Sequence, residues 1–366
     1  MQLSLRNAAG LSDRSISFAW LLVLLAVFVQ QSAWASHPGD HAPIGVMGDH
    51  LHEAGEWMFS YRYMHMSMEG NQSGTSDVSA AEIVTSEPNV FGMPPTLRVV
   101  PTSMDMDMHM FGAMYAPSDR VTLMGMTNYV SREMDHTTFA GPAGGTVLGT
   151  FTTKTSGFGD LRLSALVGLL ESNSASRVDR WHLNLGVSLP TGSIDETDDI
   201  LTPMNTRPTV RLPYPMQLGS GTTDALLGVT YSALQGAWNW GGQWMSTLRT
   251  GENDEDYRLG DEHKLQGWLG YRVSQYLSLS ARLSWTDRGN IDGRDPRIAA
   301  PVQTADPNRQ GGDRLDLSLG ANVVVPGTRQ RLALELGAPL QQDLDGPQMQ
   351  TDWQLTVGWQ MALGGH

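Results

Sequence analysis

The sequence predicts an all-β fold, a transmembrane antiparallel up-and-down β-barrel of about 12 strands. Apolar and polar residues alternate with a period of two along most of the chain after Gly55, which is typical of strands with one buried face. Beyond the N-terminus, no stretch approaches the roughly 18 apolar residues of a membrane-crossing helix. Short and long connections alternate between the patterned segments, as they do in outer-membrane barrels.

The first element is a predicted signal peptide over residues 1–35. Arg6 and Arg14 precede an apolar run that begins at Phe18, and Ala33 and Ala35 supply the small residues that a signal peptidase recognises. We expect cleavage after Ala35 and export to the envelope of a Gram-negative bacterium. The organisation expected is a signal peptide (1–35), a histidine-rich periplasmic N-terminal segment (36–54) and an outer-membrane barrel (55–366).

The strands are predicted from the alternation itself. Trp181, Leu183, Leu185, Val187 and Leu189 alternate with polar or small residues, so all five share one face of a strand. The same pattern places strands near 55–66, 104–115, 120–131, 157–170, 178–189, 222–234, 237–249, 264–274, 276–286, 312–325, 330–340 and 351–363. The long connections between them include 132–156, 190–221 and 287–311. Because the last two are rich in Pro, Asp and Thr, we expect solvated vestibules there.

The two faces of the strands differ in composition. The apolar faces carry aromatic residues near their ends, as the two membrane interfaces of a barrel require: Trp57, Tyr63, Tyr115, Tyr129, Trp181, Tyr231, Tyr271, Trp285, Trp353 and Trp359. The opposite faces carry charges, which a dry core would not accept without partners. The predicted pore-lining residues are Arg62, Arg162, His182, Arg272, Arg282, Arg314, Asp316 and Glu335.

Composition excludes several classes of protein. The 366 residues include no cysteine, which excludes a disulfide scaffold and a thiolate metal site. A net charge of −14 argues against a nucleic-acid partner, since that would need a basic face. The sequence also lacks a Gly-x-Ser-x-Gly, a phosphate loop and a His-Glu-x-x-His motif, so no enzymatic activity is predicted.

Histidine and methionine are concentrated in the first third of the chain. Imidazole and thioether groups suit copper or silver ions, and the candidate metal ligands are His37, His41, His50 and His52. The alternative for this tract is a solvated tail. No other cofactor is predicted.

The methionines of the strand near 104–115 have two interpretations. Met104, Met106, Met108, Met110 and Met114 share one face, while Asp105, Asp107 and His109 share the other. Because lipid tolerates Met and not Asp, we expect the methionines to face lipid as apolar filler. A copper path along a methionine-lined pore is the less favoured alternative.

Several segments resemble outer-membrane transporters of the phenol-degradation (MetA-pathway) type, which are distantly similar to the long-chain fatty acid transporter class. These segments are Ala42–His52, Gly55–Met64, Tyr115–Arg120, Ser156–Asp160, Leu189–Ser193, Gln217–Asp224, Asp343–Pro347 and Trp353–Trp359. The resemblance implies a barrel that passes or binds small, often hydrophobic compounds, and it supplies no catalytic residues. The chain departs from the pattern in its histidine- and methionine-rich first quarter and in continuing beyond Trp359 to His366.

The predicted function is therefore an outer-membrane β-barrel transporter or pore for small, hydrophobic or aromatic compounds. Its expected partners are outer-membrane lipid and a small-molecule substrate, with a metal ion as a further candidate. The main alternative is a copper- or silver-binding envelope protein of metal homeostasis that is built on a barrel. A third is a structural or adhesion protein that uses its long loops.

Overall fold

The computed structural model describes residues 41–141 and 144–364. The predicted signal peptide and His37 lie outside these ranges. The strands are β1 (Trp57–Gly74), β2 (Ser76–Asp77), β3 (Val99–Ser118), β4 (Val121–Ala140), β5 (Thr146–Phe158), β6 (Leu161–Asn173), β7 (Val178–Leu189), β8 (Thr197–Asp199), β9 (Thr209–Arg211), β10 (Asp224–Gln235), β11 (Trp238–Arg249), β12 (Tyr257–Arg258), β13 (Glu262–Arg272), β14 (Leu277–Arg288), β15 (Asp292–Gly293), β16 (Gly312–Val324) and β17 (Gln330–Leu363). One helix, α1 (Ala80–Ser86), lies within the described residues between β2 and β3.

The fold is a closed antiparallel barrel, as predicted. The order around the wall is β1, β3, β4, β6, β7, β10, β11, β13, β14, β16 and β17 within the described ranges, and β17 pairs with β1 to close the ring. If the ring consisted of eleven simple strands of alternating direction, the first and the last would run parallel. β17 nevertheless pairs antiparallel with both of its neighbours, β16 and β1. The element therefore reverses: residues 331–344 pair with β16, and 344–363 pair with β1. Its two limbs complete the even count that an antiparallel ring requires.

The outer surface of the barrel is apolar, with aromatic residues near the ends of the strands. Leu279 and Leu317, for example, are exposed on this surface. The ring centroids of Trp57 and Tyr115 lie 4.6 Å apart. The ring centroids of Trp181 and Tyr231 lie 4.8 Å apart at the same end of the barrel. We call this end, which carries the short connections, the short-turn end; the opposite one is the long-loop end.

Around residues 99–158 the wall is taller than the sequence predicted. Strands β3 and β4 are each 20 residues long, and β5, expected as part of a loop, pairs with the upper half of β4. These extensions are rich in Thr, Ser and charged residues. They carry little apolar alternation, because a strand that rises beyond the bilayer has no lipid to face.

The long loops fold over the long-loop end as a compact cap, which corrects the expectation of solvated vestibules at 190–221 and 287–311. Their apolar residues are buried in one cluster with residues of the tall strands: Val99, Phe151, Leu201, Tyr214, Tyr257, Ile291, Ile298, Val302 and Ala305. Charges are paired beneath the surface, since Asp295 lies 3.4 Å from both Arg211 and Arg297. We call this assembly the loop cap.

Helix α1 belongs to the loop cap and was not predicted. It begins after Ser79, whose hydroxyl accepts from the backbone N–H of Glu82 while the Glu82 carboxylate accepts from the N–H of Ser79. This capping box precedes the apolar pair Ile83 and Val84, which are buried. The Ser-x-x-Glu motif at residues 79–82 is the sequence feature that could have predicted this helix. Within the described ranges, no helix has the length and apolar character needed to cross a membrane.

The predicted orientation of the methionines on β3 is wrong. On β3, Met104 and Met114 are buried inside the barrel, while Phe111 on the other face is exposed. The expected outward methionines thus face the lumen. Asp107 and His109 lie on the outer wall, where Asp107 accepts a hydrogen bond from the Tyr63 hydroxyl at 2.5 Å.

The outward polar groups are tolerated because they satisfy one another near the end of the apolar band. His65 Nδ1 lies 2.9 Å from Asp107, and the ring of His65 lies beside Trp353, with centroids 5.0 Å apart. His109 Nδ1 lies 2.8 Å from the Tyr61 hydroxyl. Aromatic rings and paired polar groups of this kind suit the membrane interface. Period two correctly grouped the residues of β3, but apolar character alone did not identify the lipid face.

Candidate functional site: the lumen

Residues 41–56, which we call the N-terminal segment, occupy the lumen at the short-turn end. The carbonyl oxygen of Ala42 accepts a hydrogen bond from the Arg331 side chain at 3.4 Å, and the carbonyl oxygen of Gly48 accepts one from His182 Nε2 at 2.9 Å. The backbone N–H of His52 donates to Thr122. These hydrogen bonds attach the segment to the wall at β17, β7 and β4.

Two glycines of the N-terminal segment are required by this path. A Cβ atom at Gly45 would collide with the side chains of Arg282 and Glu335. Gly48 has a φ of +59°, in the left-handed region that favours glycine, and it packs against Leu166. These contacts explain why glycines occur at both positions in the run Pro43–Asp49.

Opposite charges are buried on the lumen face of β14 and β17. Arg282 and Glu335 are 5% and 3% exposed, and a guanidinium nitrogen lies 2.5 Å from the carboxylate. A second guanidinium nitrogen of Arg282 donates to Gln266 at 3.0 Å. Charge-assisted, hydrogen-bonded pairs of this type are tolerated in a buried site because each charge has its partner. We call this region the ionic wall.

The lumen face of β1, β3 and β4 is instead lined by methionine, and we call it the methionine wall. The register places methionines directly opposite each other across neighbouring strands: Met58 and Met114, Met64 and Met108, Met66 and Met106, Met68 and Met104, then Met104 and Met134, Met114 and Met124. Side chains directly opposite in an antiparallel pair share a face. On β1 and β3, the thioethers of Met64, Met66, Met68, Met104, Met106 and Met108 therefore form an apolar surface, which Ser60, Arg62 and Gly112 separate from Met58 and Met114.

The methionine wall connects the N-terminal segment to the loop cap. At the short-turn end, Met58 and Met114 pack with Leu166, against which Leu51 of the N-terminal segment also lies. At the other end, Met104 and Met134 are buried in a cluster with residues of the loop cap, Leu212 and Met216, and with Met68, Ile200 and Met349. The surface runs along the barrel axis between the two obstructions.

Four of the predicted pore-lining residues, Arg62, His182, Arg282 and Glu335, contact the N-terminal segment. Arg62 donates to the sulfur of Met47, and His182 Nε2 donates to the carbonyl oxygen of Gly48. These residues are buried, with exposed fractions between 1% and 6%. They hold the segment inside the lumen.

The other four lie apart from the segment. Arg314 pairs with Asp316 at 3.0 Å and donates to the Thr351 hydroxyl at 2.7 Å. Arg162 shares the lumen face of β6 with Leu166, four residues along the strand. Arg272 lies at the short-turn end, where it donates to the carbonyl oxygen of Gly236.

The sequence reasoning missed a row of amides in the lumen. Gln243 donates to the Thr230 hydroxyl and to the carbonyl oxygen of Met47, both at 2.9 Å. Gln266 in turn donates to Gln243 at 2.7 Å. These residues carry no charge, so a search for charged lumen residues passed over them. They could have been identified from the sequence, because they occupy polar positions of the same period-two alternation.

Three of the four predicted metal ligands, His41, His50 and His52, come together within the N-terminal segment. Asp49, which was not predicted, joins two of them: His41, Asp49 and His50 each offer a ligand atom within 4.8 Å of the others. The ring centroids of His50 and His52 lie 4.7 Å apart. His37 lies outside the described residues.

The fold is similar to that in a solved structure described as the crystal structure of the COG4313 outer membrane channel from Pseudomonas putida F1. The TM-score is 0.57 and the identity 17%, over 87% of this chain and 99% of that one. A second solved structure, the toluene transporter TodX of P. putida, aligns over 91% of this chain and 94% of that one, with a TM-score of 0.38 and 10% identity. The comparison with curated proteins found no match.

A family model described as "Putative MetA-pathway of phenol degradation" matches residues 98–299. The match begins at the end of the β1–β3 connection and ends in the loop between β14 and β16, so it includes most of the methionine wall and eight of the eleven strands of the ring. It extends over more than half of the 366 residues. The chain belongs to this MetA-pathway phenol-degradation family.

Proposed function

We propose that this protein is an outer-membrane channel for small hydrophobic or aromatic compounds, which pass along the methionine wall. The observation that carries the proposal is the thioether surface that runs from Met64 and Met108 to Met68 and Met104, between the N-terminal segment and the loop cap. The family's description, which names phenol degradation, and the similarity of the fold to a barrel described as an outer membrane channel support it. No catalytic role is proposed for any residue.

Methionine suits such a path for physical reasons. Its unbranched side chain has three rotatable bonds and a polarisable sulfur, so it adapts to ligands of different shape and makes favourable contacts with aromatic rings, worth about 0.3–1.5 kcal/mol each. Weak contacts along a surface allow a compound to enter and also to leave. Outer-membrane barrels have short periplasmic turns and longer extracellular loops, so the short-turn end would face the periplasm and the loop cap would face the exterior.

The test compares two substitutions on the methionine wall. Met64 and Met108 face each other in the register, and both would be changed to Leu in one variant and to Ser in another. Uptake of a labelled monoaromatic compound at low concentration would be measured in a deletion strain carrying each variant. We expect Leu to preserve uptake and Ser to reduce it several-fold, because about 0.8 kcal/mol is lost for each apolar group of methylene size removed from the surface. Equal uptake by the Ser variant and the unaltered protein would contradict the proposal.

A second candidate function rests on the same surface. Opposed thioethers along a lumen also suit passage of a soft monovalent ion, Cu(I) or Ag(I). The same variants distinguish the two functions, since Leu retains the apolar surface and removes the sulfur. If the Leu variant transports aromatics normally but changes silver or copper tolerance of the strain, the metal function is supported; unchanged tolerance contradicts it.

A further inference from the structure

The cluster of His41, Asp49 and His50 has the composition of a metal site. The ring centroids of His41 and His50 lie 4.9 Å apart, and the cluster's ligand atoms lie within 4.8 Å of one another. The three residues line a pocket together with Arg180, Asn239 and Trp240, which lie near the short-turn end of β7 and β11. An ion could therefore reach the cluster from that end of the barrel.

Neighbouring carboxylates orient the imidazoles. Asp49 Oδ1 lies 2.9 Å from His50 Nδ1, and Glu56 lies 3.1 Å from His52 Nδ1. His52 is buried, and its Nε2 has no hydrogen-bond partner among the described residues. A histidine that is held by a carboxylate through one nitrogen and presents the other is typical of metal sites. His52, whose ring lies 4.7 Å from that of His50, is a candidate fourth ligand.

The donor atoms indicate which metals fit. Imidazole nitrogen and carboxylate oxygen are ligands of Zn²⁺ and of Cu²⁺. Soft monovalent ions prefer sulfur, and the methionine wall is separate from this cluster. The histidine site therefore fits Zn²⁺ or Cu²⁺ better than a soft monovalent ion such as Cu(I) or Ag(I).

The position of the cluster connects metal binding to the N-terminal segment. His41 precedes the loop formed by residues 42–48, and Asp49 and His50 follow it. Asp49 already closes this loop by accepting a hydrogen bond from the backbone N–H of Ala42 at 2.9 Å. A metal held by both ends would close the loop more tightly and fix residues 42–48 against Arg282, Gln243 and His182.

We propose that His41, Asp49 and His50, with His52 as a fourth ligand, bind one Zn²⁺ or Cu²⁺ ion at the short-turn end, and that this ion fixes the N-terminal segment inside the lumen. Metal binding by these residues does not depend on the proposed transport function. The effect of the ion on permeability does rest on that function.

The first experiment measures binding. The protein, purified from membranes in detergent and stripped with a chelator, would be loaded separately with Zn²⁺ and with Cu²⁺, and the metal retained per chain would be determined. We expect one ion per chain, with Cu²⁺ held more tightly than Zn²⁺. The double variant His41→Ala/His50→Ala should lose the ion. His263→Ala, a histidine elsewhere on β13, is the matched control and should retain it.

A milder variant guards against a misfolded product. Glu56→Gln leaves the proposed ligands in place and should weaken metal affinity by about 10- to 100-fold, as loss of an orienting carboxylate does at other sites. Heat-modifiable migration in gels would confirm that each variant is a folded barrel. No bound ion in the unaltered protein, or equal binding by the double variant, would overturn the proposed site.

The second experiment measures permeability in planar bilayers. We expect a chelator to increase the open time of the unaltered channel and Zn²⁺ or Cu²⁺ to reverse the increase, with neither effect in the double variant. Stoichiometric binding without a change in open time would overturn the role of the ion in fixing the segment. If no variant conducts and none passes aromatics, the transport proposal fails while the binding result stands.

Discussion

The methionine wall and the ionic wall belong to one lumen and to one backbone geometry, yet their side chains are held in different ways. Arg282 on the ionic wall has defined partners in Glu335 and Gln266, and each bond has a required direction. Met64 and Met108 on the methionine wall are opposed by register, and their contacts have no preferred direction. The N-terminal segment is held by hydrogen bonds that include the ionic wall, whereas the methionine wall offers an adaptable surface.

This difference has an energetic consequence. A directional, buried charge pair loses much when one partner is removed, because the other charge remains without compensation. A dispersive surface of flexible side chains loses little when one of them is exchanged for another of similar volume. The contrast predicts that substitutions on the ionic wall lower the free energy of unfolding more than substitutions on the methionine wall.

The largest effect is expected from Arg282→Met. It leaves Glu335 buried without its cation, so we expect the free energy of unfolding to fall by about 3–5 kcal/mol. Urea unfolding of the barrel refolded into lipid, followed by tryptophan fluorescence, would measure it. The double variant Arg282→Met/Glu335→Leu should recover most of the loss. If the double variant is as unstable as the single one, the ionic wall is not held by this pair.

The next largest effect tests the corrected faces of β3. Phe111 faces lipid, and Phe111→Arg should cost about 2–4 kcal/mol if it lies near the bilayer midplane. Met108→Arg, on the lumen face of the same strand, should cost clearly less, because the lumen offers polar partners such as Asn128. The same refolding assay applies to both. A larger cost for Met108→Arg would restore the original assignment of the methionines to lipid.

That correction shows what periodicity could and could not predict. Strict alternation grouped Met104 with Met114 and Asp105 with Asp107 because a strand has no other geometry. Choosing the inner group needed a second property, and hydrophobicity was misleading because Met is apolar wherever it lies. The aromatic residues of the strand, Phe111 and Tyr115, share the outer face and were the better guide.

The candidate site was predictable to a similar degree. The ligand types and their place before the first strand identified His41, His50 and His52 as candidates. The contribution of Asp49 was not predicted, since it depends on how the N-terminal segment turns inside the barrel. The loop cap was also missed, because apolar residues such as Ile298 and Val302 are separated along the chain and come together only in the folded loops.

A smaller effect is expected in the loop cap. Asp295 is fully buried between Arg211 and Arg297, and Asp295→Asn should destabilise the cap locally by about 1–3 kcal/mol, because a buried charged hydrogen bond is weakened. Hydrogen exchange of the loops at 250–261 and 289–311 should accelerate while exchange of the barrel strands stays unchanged. Lys154→Ala, which removes an exposed ion pair with Glu133, is the control and should change exchange little. Uniform acceleration over the whole chain would mean that the cap is not a separate unit.

The smallest effect is expected on the methionine wall. Met64→Leu and Met108→Leu nearly conserve volume, so each should change the free energy of unfolding by less than about 1.5 kcal/mol. Because the two side chains are opposed, the double variant tests whether they are coupled; a non-directional surface predicts that the two effects add within about 0.5 kcal/mol, at the upper edge of what independent sites show. Urea unfolding of the two single variants and the double variant supplies the full cycle. A strong coupling, comparable with that expected for Arg282 and Glu335, would show that the methionines are as specifically packed as the charges, and the adaptable surface invoked for passage of varied compounds would lose its physical basis.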